Sequence, residues 1–119
     1  MASFVKFQCF IEDVFEKVHN LGSDTLKLAL SNTAPTAATD DEFTDITEIS
    51  DGNGYTAGGE ELTVTSSSQS SGTYSLVITS DIVWTATGAV GPFRYIVLYN
   101  STASNDELIG YWDYGSEVT

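Results

Sequence analysis

The segment FRYIVLYN, residues 93–100, constrains the fold of this chain more than any other stretch. Phe93, Tyr95, Val97 and Tyr99 fall on one face of an extended strand, while Ile96 and Leu98 fall on the other. A strand that is apolar on both faces must be covered from two sides, which places it in the middle of a layered structure. Pro92 at its entry fits, because the first residue of a strand can do without its N–H. After the turn-like NSTASND, the run ELIGYWDYG reads as its antiparallel neighbour.

The remaining segments extend this reading. TLKLALS puts Leu26, Leu28 and Leu30 on one face of a half-buried strand. SNTAPTAATDDEFTD, with Pro35 and many small polar residues, reads as a long loop. ELTVTSSS and TYSLVITS alternate in turn, the second through Tyr74, Leu76 and Ile78, and form a hairpin whose connection is the serine-rich SSSQSSG. The N-terminus has a different period. Phe7, Phe10, Ile11, Val14, Phe15 and Val18 recur at steps of three and four, so residues from about 4 to 20 are expected to form one amphipathic helix covering the core. Ser3 stands as its N-cap and Gly22 as its C-terminal stop. SEVT at the end reads as the start of another strand. The sum is a mainly β (α+β) domain spanning residues 1–119: an antiparallel β-sandwich or barrel with one N-terminal amphipathic helix.

Charge and cysteine content exclude whole classes of function. Seventeen acidic residues against 4 basic ones leave a net charge of −13 in 119 residues, which repels nucleic-acid phosphates and anionic lipid. No direct nucleic-acid or membrane role is expected, and no apolar run approaches the roughly 20 residues of a membrane span. The N-terminus has no basic region followed by an apolar segment, so no signal peptide is read there. Cys9 is the single cysteine, so neither an intrachain disulfide nor a cysteine metal cluster is available, and its apolar surroundings make it a small buried hydrophobe.

The glycine-rich DGNGYTAGGEE, Asp51 to Glu61, invites a ligand, but its chemistry does not follow through. A phosphate loop needs a lysine and a helix N-terminus, whereas Glu60, Glu61 and a strand follow here. A calcium loop wants oxygens at alternate positions, and Tyr55 occupies one of those slots. The glycines are read instead as backbone turns of positive φ, with Tyr55 packed as an anchor. His19 is expected at the end of the helix, where a cation meets the helix dipole, and it lacks a nucleophile at motif spacing. Asp40, Asp41, Glu42 and Asp45 read as a solvated loop, and the Asn100-Ser101-Thr102 sequon carries no weight without a secretory signal. No catalytic residue, cofactor or metal is therefore assigned, although paired carboxylates for glycoside hydrolysis depend on space rather than sequence. Tyr99, Tyr111, Trp112 and Tyr114 could stack on a sugar, but cross-strand packing explains their alternation better. Arg94 needs a carboxylate, and Asp113 on the next strand is the candidate.

Four segments, HNLGSDTLKLALSNTAP, DITEISDGNGYTAGG, VGPFRYIVLYN and LIGYWDYGS, together resemble a family of small virion structural proteins of tailed bacteriophages. The resemblance runs in order along nearly the whole chain. It implies a capsid decoration, or cement, protein made in the host cytoplasm. Such a protein sits on the outer capsid surface, often as a trimer, and holds major capsid protein subunits together. Other expectations are a tail or head–tail junction protein, and a carbohydrate-binding β-sandwich module. The family pattern continues past GSEVT with one more glycine-containing turn and strand. Candidate contact regions are loop 32–45, the glycine loop and the N-terminal residues, with Phe4, Pro35, Phe43, Tyr55 and Trp112 as candidate capsid or subunit contacts.

Overall fold

In the computed structural model, which describes residues 3–78 and 83–119, the chain runs β1 (Ser3–Lys6), α1 (Cys9–Phe15), β2 (Leu26–Ser31), β3 (Glu60–Glu61), β4 (Val64–Ser70), β5 (Thr73–Ile78), β6 (Phe93–Asn100) and β7 (Leu108–Val118). A 3-10 turn at Phe43–Asp45 interrupts the long loop after β2. The main sheet has five strands in the order β1-β7-β6-β2-β3, and β4 and β5 form a separate hairpin. All pairings are antiparallel. β6 is the central strand, as its two apolar faces require.

Each face of β6 carries its own core. On one side Val97 and Tyr99 pack with Phe7, Ala29 and Leu108, covered by Cys9, Phe43, Ile46 and Tyr111. On the other, Leu98 packs with Leu26, Leu62 and Ile109, covered by Phe10, Leu21, Val64, Leu76 and Trp112. Leu26, Val97 and Leu108 are fully buried, each contributing about 1.5–3 kcal/mol relative to exposure. The register, with Leu28 opposite Leu98 and Ala29 opposite Val97, keeps like faces together across the sheet. The structure is thus a mainly β, antiparallel, sandwich-like fold with one short N-terminal helix. The second layer is formed by the hairpin, α1 and loops.

The N-terminal expectation needs correction. Ser3, expected as the N-cap, and residues 4–6, expected within a helix over 4–20, form a strand in which Ser3 pairs with Asp113 and Phe4 with Trp112. The edge of β7 offers unpaired backbone groups, and satisfying them outweighs the helical period of so short a segment. Only Cys9–Phe15 is helical, and none of its residues is buried, so α1 does not serve simply as a cover for the core. The stop is Lys17 rather than Gly22. Lys17 takes φ 67°, Val18 N–H donates to the Asp13 carbonyl and Lys17 N–H to the Val14 carbonyl, which is a Schellman closure with lysine in the position glycine favours.

Two boundaries also move. Most of SSSQSSG belongs to β4, leaving Ser71 and Gly72 as the turn. The residues before Thr119 do not open a new strand: Ser116–Val118 extend β7, and Val118 lies opposite Phe93. The Arg94–Asp113 pair forms as expected, with Nε to Oδ1 at 2.8 Å and the second guanidinium nitrogen to Oδ2 at 3.2 Å. Both side chains are partly exposed, so the pair aligns β6 with β7 more than it stabilises them.

Candidate functional site

The glycine loop spends its polar groups on the protein segments packed around it. Tyr55 is buried, and its hydroxyl donates to Glu48 Oε2 at 2.5 Å while accepting the Leu30 N–H at 3.0 Å. The same carboxylate oxygen accepts the Gly58 N–H at 2.6 Å, and the Gly58 carbonyl accepts the Tyr99 hydroxyl. Burial is the main cause that raises both phenols, with the Glu48 carboxylate adding to it, and Tyr99 reaches about 12. Both stay protonated donors at any physiological pH. Gly52, Gly54, Gly58 and Gly59 all take positive φ. Tyr55 is the anchor and the loop is a turn around it.

His19 does not end a helix. It is buried against the Phe10 ring, with Nδ1 3.0 Å from Asn100 Nδ2 and Nε2 3.9 Å from Asp13 Oδ2. Since an amide nitrogen can only donate, Nδ1 accepts and the neutral ring carries its proton on Nε2. Burial lowers the pKa of His19, partly offset by Glu107 and Asp24. Cys9 lies beside the carbonyls of Asp40, Asp41 and Leu108, and burial together with Asp13 and Asp41 pushes its thiol up to about 11. A thiol held protonated is a poor nucleophile. Asp40 and Asp45 turn inward on their own loop, accepting the Thr36 N–H and the N–H groups of Asp41 and Glu42.

The His19 geometry gives a pH prediction with a defined sign. A folded-state pKa below the unfolded value of about 6.5 means that the unfolded chain takes the proton first. The contribution is fully present above that value and is lost as pH falls through the folded pKa. Asp13, raised mainly by burial, works in the opposite direction, so the comparison must isolate His19. The stability gap between wild type and His19→Gln is expected to narrow between pH 7.5 and pH 5. Urea midpoints at the two pH values measure it, and a constant gap contradicts the assignment.

The sequence-derived contact residues separate into two groups. Pro35 and Tyr55 are buried, and Phe43 stacks on Tyr99 at 4.2 Å, so these three serve the interior. Phe4 is half exposed and packs on Trp112 at 4.8 Å, covering Gly110, where a side chain would collide with the Phe4 ring. The four aromatics of β6 and β7 do not assemble into a sugar platform. Tyr99 and Tyr111 belong to one face of the sheet and Trp112 to the other, while Tyr114 is exposed.

The structure presents a surface that the sequence pattern assigned to the interior. Ile11, Val14 and Phe15 of α1 are exposed, Phe15 by 86%. Beside them lies an open groove of about 560 Å³ lined by Phe10, Val14, Lys17, His19, Leu21 and Tyr74, among others. Most of that lining is apolar, with Lys17 as its one cation. Exposed apolar side chains next to a concave apolar surface mark protein or membrane interaction faces and ligand grooves alike. The apolar arc of α1, at about 100° per residue, spans roughly 140°. An arc of that width is ordinary for a core-covering helix, so no local period marks Ile11 and Phe15 as exposed.

No protein family model, curated protein or solved structure matches this chain.

Proposed function

We propose that this chain is a non-enzymatic virion structural protein that decorates the outer surface of a tailed-phage capsid and stabilises contacts between major capsid protein subunits. The observation that carries the reading is the exposed apolar face of α1 beside the groove, on a chain of net charge −13. Such a face fits a protein partner, and the charge keeps the outer surface away from DNA. The ordered likeness of four segments to tailed-phage virion proteins supplies the identity of that partner. A homo-oligomer would multiply weak contacts by each copy into stable attachment.

Cosedimentation of purified protein with cognate heads lacking it tests the reading. Saturation at hundreds of copies per head, with heads that then withstand heat better, is the expected result. A handful of copies per particle would place the protein at the tail or portal vertex, and no binding would overturn the proposal. Phe15→Asp is expected to weaken head binding by about 30-fold, the effect of losing one aromatic anchor of about 2 kcal/mol. Its melting temperature should stay at the wild-type value, because the side chain is exposed.

A further inference from the structure

The molecule has four strand edges among the described residues, and three of them are protected. β1 is four residues long and ends in Lys6. β3 consists of Glu60 and Glu61 alone. β4 is broken by a bulge between Val64 and Ser66. Charges, short length and bulges are the standard means of stopping a strand edge from pairing with another chain. The fourth edge, β5, has none of them. Thr73–Ile78, TYSLVI, is six residues of regular strand without charge, proline or bulge, and Tyr74, Val77 and Ile78 are each exposed by 40–48%. Among the described residues, β5 hydrogen-bonds only to β4.

We propose that β5 pairs with β5 of a second copy of this chain, antiparallel about a two-fold axis, giving the four-stranded sheet β4-β5-β5′-β4′. Charge identifies the partner. Residues 62–93 contain a single charged residue, Asp81, so 20 of the 21 charged residues lie elsewhere. Two copies, each with a net charge of −13, repel across almost any other pair of faces. The hairpin is where they can approach. A two-fold axis sets identical strands side by side, so the partner edge is necessarily as uncharged and unprotected as β5 itself. Pairing also adds strands to a two-stranded hairpin that is only marginally stable by itself, and makes one continuous face of Tyr74, Leu76 and Ile78 from both copies.

Sedimentation equilibrium of the free protein reads the proposal independently of any capsid. The expected result is a monomer–dimer equilibrium that tightens with added salt, because salt screens the repulsion between copies. Val77→Lys and Ser75→Lys place like charges across the axis and are expected to raise the dissociation constant by about 30-fold or more. Both positions are exposed, so the monomer should keep its wild-type circular dichroism. Phe15→Lys, on α1, should leave the dimer intact. A monomer at every concentration, a closed trimer, or a dimer lost in Phe15→Lys but kept in Val77→Lys would each overturn the assignment.

Discussion

A Gly59→Ala variant is expected to lose at least about 4 kcal/mol of stability, placing it among the most damaging single-methyl changes a chain of this kind can suffer. Gly59 has φ +82°, and a Cβ there would overlap the Leu28 carbonyl and crowd Ala29 Cα. Both are backbone atoms of β2, whose pairing with β3 and β6 prevents retreat. Total stability for a domain of this size is of the order of 6–18 kcal/mol, at about 0.05–0.15 kcal/mol per residue. The loss is therefore a large fraction of the whole. Gly72 provides the control. Its φ is +83° but nothing lies within 4 Å of its would-be Cβ, so Gly72→Ala carries the conformational cost alone, about 1–3 kcal/mol. Urea denaturation of the two variants separates collision from backbone strain. Equal losses would show that the close approach to β2 does not matter.

The same contrast explains which parts of the fold were legible. β2, β6 and β7 could be read because their alternation is local, and burial on both faces of β6 leaves a pattern of apolar residues within eight positions. Tyr55 could be assigned as an anchor because glycines on both sides of one large aromatic leave it little else to do. The N-terminus could not be read this way. Its strand depends on residues 110–113, more than 100 positions away, and no local period reports such a partner. The stop at Lys17 was hidden because lysine rarely adopts positive φ. The groove was equally out of reach, since α1, the 19–22 loop and the hairpin meet there only in three dimensions. His19 reads locally as the end of a helix because its partner Asn100 is 81 positions distant.

Asn100→Leu is expected to destabilise the chain by about 3 kcal/mol, although the two side chains share the same branching and number of heavy atoms. Asn100 is fully buried at the end of β6, and every polar valence of its amide is used. Oδ1 accepts the N–H groups of Thr102 at 2.9 Å and Ala103 at 3.2 Å. Nδ2 donates to Asp24 Oδ2 at 2.7 Å and to His19 Nδ1 at 3.0 Å. Leucine leaves all of these groups behind. Exposed Thr102 can turn to water, but buried His19 cannot, and one orphaned buried group costs about 1–3 kcal/mol. A carboxylate that loses its partner adds to this. Asn100→Asp tests the same network from the opposite direction. It keeps the acceptor for the two amides but sets a second carboxylate against Asp24 and beside the His19 lone pair. That variant is expected to be weak at pH 7 and to recover on acidification to pH 5, as His19 or the introduced carboxylate takes up a proton. Thermal melts of both variants at the two pH values measure this. A leucine variant within about 1 kcal/mol of wild type would mean that the network is not what holds the 100–103 turn against His19.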